Sequence, residues 1–128
     1  MSEMVEAPVS ELEGPALDWA VANVELITVG IAEPQYENGY RVYQTFCRVD
    51  YKYSPSTDWS LCGPLIEKHI DGFGSLAGRT EWEAYCWGSE VTRATLYFEQ
   101  GPNPLIAACR AIVAAKLGDT VMVPKELC

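Results

Sequence analysis

The chain has 128 residues, enough for one domain whose buried core needs neither a metal nor a disulfide for stability. Eighteen Asp and Glu residues against nine Lys and Arg residues give a net charge of -9, which disfavours nonspecific binding to the phosphate backbone of nucleic acids. That charge still permits a local basic pocket for a small anion.

The cysteine and histidine pattern does not predict a metal site. The five cysteines are scattered without a Cys-x-x-Cys pair, and the single histidine, His69, is not close to a suitable pair. The first residues are acidic and lack the basic start and apolar run of a signal peptide. No segment approaches the length of a membrane span. We therefore expect free thiols, no cofactor and a reducing cytoplasm.

The N-terminal part predicts an arm, a helix and two strands. Residues 1–10 are acidic and aperiodic, so we expect a flexible arm that leads into a short strand. A helix is predicted next, with Gly14 as a candidate N-cap and Pro15 at the first helical position. Trp19 lies off the apolar face of this helix. Two stretches rich in β-branched and aromatic residues follow, and the Asn38-Gly39 pair between them predicts a hairpin.

The middle of the chain begins with a polar loop, YSPSTDWS, at residues 53–60. A short helix is expected to start after it at Gly63-Pro64. The glycine-rich stretch DGFGSLAGRT predicts a flexible excursion. EWEAYCW and VTRATLYFE then read as neighbouring strands.

The C-terminal part contains the most apolar helix, predicted to begin after GPNP and to stop at Gly118. A helix that is apolar nearly all round is typically buried. DTVMVP could add a last extended segment. The sequence therefore predicts an α+β fold: one domain over residues 11–128, with a mostly antiparallel sheet, two longer helices and one short helix.

Arg110 lies in the middle of this apolar helix and cannot be buried without a partner. One interpretation is structural: a salt bridge with a carboxylate such as Asp58 or Glu67, or an aliphatic stem that lies along the surface. The other is a guanidinium that binds a phosphate or carboxylate in a pocket. The first is modestly favoured from the sequence, yet Arg110 is also the best candidate for anion binding.

No catalytic arrangement stands out in the sequence. The chain has no GxSxG, Walker, GxGxxG or HExxH motif, and His69 on an apolar helical face is more typical of a hydrogen-bonded core residue. Glu81 and Glu83 share one face of a predicted strand, where carboxylates are usually solvated. We therefore expect a protein that is not an enzyme.

The YSPSTDWS loop is the strongest candidate binding segment. A structural turn would account for Pro55 and one capping residue. It would not explain so many hydroxyls between Tyr53 and Trp59, whose rings could form walls for a planar ligand.

Four segments, GPALDWAVA, YSPSTDWSLCGPLIEK, GPNPLIAACRAIVAAKLGD and VMVP, resemble in this order the phage NinX-type family. The chain departs from the family pattern at Cys62, where glycine is usual, and at Cys109, where methionine is common. The resemblance implies a phage or prophage origin and the cytoplasm of an infected bacterium, but no mechanism. Its characteristic positions, combined with the side-chain chemistry, give the candidate ligand-binding residues: Asp18, Trp19, Tyr53, Ser54, Ser56, Thr57, Asp58, Trp59 and Arg110.

These residues suggest a protein that captures a small nucleotide-like ligand, by analogy with small phage proteins that sequester host immune signals. A tryptophan would stack on the base, Arg110 would bind a phosphate, and the loop would bind ribose hydroxyls. A homo-oligomer could close over the ligand. The alternative is an acidic inhibitor or DNA mimic that binds a host protein, which the charge of -9 favours. An enzyme that degrades such a signal ranks third.

Overall fold

A computed structural model describes residues 3–32, 40–75, 81–87 and 96–127. Its described part contains three α-helices and eight β-strands, which confirms the predicted α+β class. The strands form three small antiparallel sheets, ordered β1-β8, β2-β3-β4 and β5-β6-β7, rather than one. The elements are β1 (Met4–Pro8), α1 (Gly14–Val24), β2 (Gly30–Ala32), β3 (Arg41–Phe46), β4 (Val49–Lys52), α2 (Trp59–His69), β5 (Gly72–Ser75), β6 (Trp82–Trp87), β7 (Leu96–Gly101), α3 (Pro104–Leu117) and β8 (Thr120–Pro124).

The third helix is the centre of the fold, as its composition predicts. Every residue from Leu105 to Ala115 is buried, and α3 packs against β6, β7 and α1. The Asn103 side chain accepts a hydrogen bond from the Ile106 amide at 2.9 Å and so caps the helix start. Gly118, with φ of 104°, ends it in a conformation that favours glycine.

The second helix differs from its prediction. It begins at Trp59 with Asp58 as N-cap, so Gly63 and Pro64 lie inside it and not at its start. Pro64 has no amide hydrogen and so removes one helical hydrogen bond. The Asp58 cap and the burial of Cys62 and Leu65 stabilise α2 and offset this loss. The helix predicted to be short therefore has 11 residues, the same number as α1. The first helix begins at Gly14 with Glu13 as N-cap, one residue before the predicted position.

One arrangement occurs twice in the described chain: α1 precedes the sheet β2-β3-β4, and α2 precedes the sheet β5-β6-β7. In each sheet a glycine of the first strand pairs with a tyrosine of the second, Gly30 with Tyr43 and Gly72 with Tyr85. A side chain at either glycine would collide with the tyrosine ring. Residues 72–75 of the stretch DGFGSLAGRT, predicted to be a flexible excursion, form the strand β5. Residues 76–80 and the Asn38-Gly39 pair lie outside the described residues.

The N-terminal segment, expected to be a flexible arm, contains strand β1. Met4–Pro8 pair antiparallel with Thr120–Pro124 of β8, and Val9, which follows directly, is fully buried. Short 3-10 turns follow both strands, at Val9–Glu11 and at Lys125–Leu127. The two ends of the described chain are thus joined in one ribbon.

Candidate functional site

The YSPS part of the polar loop is buried. Residues 53–56 are all buried, and the Tyr53 amide donates to the Val42 carbonyl at 2.9 Å, which extends the contact between β4 and β3. Thr57 turns the chain by donating its amide to the Ser54 carbonyl at 3.0 Å. Burial also raises the pKa of the Tyr53 phenol. The side chains of Tyr53, Ser54 and Ser56 therefore belong to the interior of the protein and do not form a binding surface.

Asp18 of α1 meets this buried loop. Its Oδ1 accepts a hydrogen bond from the Ser56 amide at 2.9 Å, and the residue is only 4% exposed. The Ser56 hydroxyl is also near enough to lower the pKa of this carboxyl, but it does not reach hydrogen-bonding geometry, so we count one bond. Burial outweighs the hydrogen bonding and the charge of Lys52, and it raises the pKa of Asp18 from 3.8 to about 6. A carboxyl whose pKa is shifted by burial and that lines a cleft is a candidate for a functional site.

Asp18 opens onto a cleft of about 390 Å³, called here the Asp18 cleft. The cleft lies where the start of α1 meets the start of β3 and the end of β4. Asp18 is the only buried residue among those lining it; Lys52 and Thr57 are exposed and the others half-buried. Its lining residues are Gly14, Pro15, Asp18, Tyr40, Arg41, Lys52 and Thr57.

Two cations extend this site onto the adjoining sheet. Arg41 and Lys52 also line a neighbouring cleft of about 460 Å³, together with Ile31, Ala32, Tyr43 and Asp50. Tyr43 pairs with Lys52 across the strands, which places both on the face opposite the buried Val42. In a chain of charge -9, Arg41 and Lys52 thus lie on one continuous surface, together with the carboxylates of Asp18 and Asp50.

Asp58 and Trp59 do not line the Asp18 cleft. The Asp58 carboxylate accepts from the Ser60 amide at 2.9 Å and from the Ser60 hydroxyl at 2.6 Å. These bonds cap α2 and lower the pKa of Asp58. Trp59 is the first residue of α2 and is 56% exposed. Within the predicted loop, only Thr57 reaches the cleft surface.

Trp19 faces a different groove from its neighbour Asp18. The indole is half-buried against the core and lines a groove with Met4, Leu117 and Met122. Successive residues on a helix point about 100° apart, which separates the two side chains. The Trp19 side chain thus lies beside β8 and not in the Asp18 cleft.

Arg110 lies in a third place. Its Nε donates to the Leu12 carbonyl at 2.8 Å and its Nη1 to the Gln100 carbonyl at 2.7 Å. The partners are thus backbone carbonyls, and neither Asp58 nor Glu67 pairs with it among the described residues. Arg110 lines a cleft of about 420 Å³ whose other charged members are Glu81, Glu83 and Glu99. We call this the acidic cleft; it does not include any other predicted ligand-binding residue.

His69 is a hydrogen-bonded residue between helices, as the sequence favours. Its Nε2 lies 2.7 Å from Oε2 of Glu25, which follows α1, and Lys68 also bonds to Glu25. Partial burial would raise the pKa of Glu25, but the bonds from His69 and Lys68 lower it. Over the described ranges no cluster of His, Cys, Asp and Glu is placed to hold a metal ion.

The sequence reasoning missed three residues of the Asp18 cleft that carry its chemistry: Tyr40, Arg41 and Lys52. Arg41 and Lys52 lie on β3 and β4, which the sequence indicated only as strands of a sheet, and Tyr40 directly precedes β3. The available signal was the rarity of cations in an acidic chain. The signal does not say which two cations meet, because that depends on the register of β3 against β4 and the position of α1.

The profile of the family described as "Bacteriophage P22, NinX" matches residues 8–116. The chain belongs to this family. The NinX match includes α1, the buried loop, and α3 as far as Lys116, so it covers every residue of the Asp18 cleft. A search of curated proteins found no match. In the described part of this NinX protein, no helix is long and apolar enough to cross a membrane.

Proposed function

We propose that this NinX protein binds a small nucleotide-like anion in the Asp18 cleft and sequesters it without chemical change. The observation that carries the proposal is the junction of a buried, incompletely paired carboxylate with two cations in one cleft. Carboxylate and cations together match a ligand that has both hydrogen-bond donors and negative charge.

Each part of the cleft supports one part of such a ligand. Arg41 and Lys52 suit a phosphate, because guanidinium and ammonium groups are strong donors to phosphate oxygens. The Tyr40 ring offers a flat apolar surface to a base. Asp18 and Thr57 offer polar atoms at the cleft wall. A volume of about 390 Å³ is within the range of small-molecule sites.

The biological setting of the proposal is the cytoplasm of an infected bacterium, where a phage protein that removes a nucleotide signal would counter a host defence. A second copy of the chain could close over the ligand and slow its release. In keeping with the expectation from the sequence that the protein is not an enzyme, we propose capture as the mechanism.

The test is a thermal-shift and calorimetric screen against nucleoside monophosphates, cyclic dinucleotides and inorganic phosphate. Binding to the folded state alone raises the unfolding free energy by about 2.7 kcal/mol at a hundred-fold excess over Kd. Heating the complex and analysing the released ligand then separates capture from catalysis. Intact ligand supports sequestration, and altered ligand contradicts it.

A charge-matched pair of variants locates the site. Lys52→Glu should abolish the thermal shift, since it places a negative charge beside the bound phosphate. Lys125→Glu makes the same change in the 3-10 turn Lys125–Leu127, outside both clefts that contain Lys52, and should leave the shift intact. Equal losses in both variants would show a nonspecific charge effect and contradict the assignment of the cleft.

A second candidate function rests on the acidic cleft. Glu81, Glu83 and Glu99 line it beside the exposed Phe98, and carboxylates around an aromatic residue suit a basic protein surface. We propose this inhibitor function only as the alternative. It would be favoured if no nucleotide shifts the unfolding temperature and a host protein binds in a manner that Glu81→Lys with Glu83→Lys abolishes.

A further inference from the structure

The hydrogen-bonding pattern of Asp18 restricts the kind of base that the cleft can accept. An ionised carboxylate only accepts hydrogen bonds. Oδ1 already accepts from the Ser56 amide. The Ser56 hydroxyl lies near the carboxyl without forming a hydrogen bond to it, and no other described residue donates to Asp18. A ligand group that meets Asp18 must therefore supply hydrogens and not lone pairs.

Asp18 is also the group that is most enclosed in the cleft, at 4% exposure, whereas Lys52 and Thr57 are exposed. The most buried group that lines a cleft is reached most readily by a terminal part of the ligand. The base edge of a nucleotide is terminal, whereas the ribose carries the base on one side and the phosphate on the other. The base edge therefore fits Asp18 better than the ribose does.

The bases differ at this edge. Guanine presents two adjacent donors, N1–H and the N2 amino group, which match the two oxygens of a carboxylate. Adenine presents an acceptor nitrogen beside its amino group, and uracil presents one donor between two carbonyls. Each of these would place a lone pair against the buried carboxylate, and leaving such a group unsatisfied is strongly unfavourable.

We infer that the Asp18 cleft selects guanine nucleotides, with the Asp18 carboxylate accepting hydrogen bonds from guanine N1–H and N2 while Arg41 and Lys52 bind the phosphate. This inference rests on the proposed function, because it names the ligand class of the same cleft. In this inference the buried loop orients the Asp18 carboxylate, because the Ser56 amide donates a hydrogen bond to its Oδ1.

The test compares GMP, 2′-deoxy-GMP, AMP and inorganic phosphate by calorimetry. GMP should bind on the order of a hundred-fold more tightly than AMP, which is a typical effect of unpaired buried polar groups. 2′-Deoxy-GMP should bind within a few-fold of GMP. Asp18→Asn should remove the preference, because its amide can turn a donor toward the two guanine donors. Asp119→Asn makes the same chemical change at an exposed position that does not line the cleft, and it should retain the preference.

Each other outcome overturns a specific part. If AMP binds as well as GMP and 2′-deoxy-GMP binds poorly, Asp18 reads the ribose, and the guanine inference is wrong while the binding function stands. If phosphate competes equally with both nucleotides and Asp18→Asn changes nothing, the site recognises only the anion. If no nucleotide binds at all, the proposed function itself fails. Circular dichroism of Asp18→Asn establishes that any loss is not due to unfolding.

Discussion

At the scale of single residues, the burial of the Asp18 carboxylate opposes the stability of the fold at neutral pH. Its carboxyl is buried with one hydrogen bond from the protein, and burial raises its pKa to about 6. An unfolded chain would hold the same proton only up to about pH 4. Protonation at Asp18 therefore favours the folded state, and this contribution is fully present below pH 4 and is lost as the pH rises to about 6. At neutral pH the ionised group is a destabilising feature that the fold retains.

Replacing Asp18 by Asn should therefore stabilise the protein at pH 7 while it abolishes guanine preference. Asn can still accept from the Ser56 amide, but it is neutral in both states. The expected gain is about 2–3 kcal/mol at pH 7, falling to near zero at pH 4. Urea unfolding of both proteins across this range measures it, with Asp119→Asn as control. A less stable Asp18→Asn at pH 7 would mean that attraction to Lys52 outweighs the burial of the charge.

At the scale of elements, Arg110 connects α3 to two other segments. Its guanidinium holds the Leu12 carbonyl just before α1 and the Gln100 carbonyl near the end of β7. The sequence predicted that Arg110 cannot be buried without a partner, and in the structure it is buried with two backbone carbonyls as partners. It could not identify the partners, because backbone carbonyls carry no sequence signature, and it searched only among carboxylates.

Arg110→Ala should destabilise the fold, since it leaves two carbonyls without their donor and a gap beside α3. The expected loss is about 2–4 kcal/mol in unfolding free energy, measured by urea denaturation. Lys116→Ala, in the exposed last turn of the same helix, should change it by less than about 0.5 kcal/mol. Nucleotide binding should persist in Arg110→Ala wherever the variant is folded. A fully stable variant that no longer binds would instead make Arg110 a ligand contact.

At the scale of the whole molecule, periodicity and end signals predicted the class and the central helix, because both depend on local residues. The start of α2 was misplaced because Gly63-Pro64 is a stronger local signal than the Asp58 cap that the packed chain uses. The nine candidate ligand-binding residues do not share one site, because local sequence signals do not show which side chains the packed chain brings together. Asp18, Ser56 and Thr57 meet at one site. Trp19 points away from Asp18 because neighbouring residues of a helix face different sides, and Arg110 lies on another helix, α3, in the acidic cleft.

The ribbon of β1 and β8 predicts that the first residues belong to the folding unit. Deleting residues 1–8 removes the partner of β8 and uncovers Val121 and Val123. We expect a loss on the order of 2–4 kcal/mol in unfolding free energy. The full chain should unfold in one transition that coincides by tryptophan fluorescence and far-ultraviolet circular dichroism. The double substitution Met4→Thr with Glu6→Thr changes only exposed positions of β1 and should have little effect. If the truncated protein had an unchanged urea midpoint, the first residues would be a flexible arm, as the sequence predicts. Two separate transitions of the full chain would show that the two helix-and-sheet units fold independently.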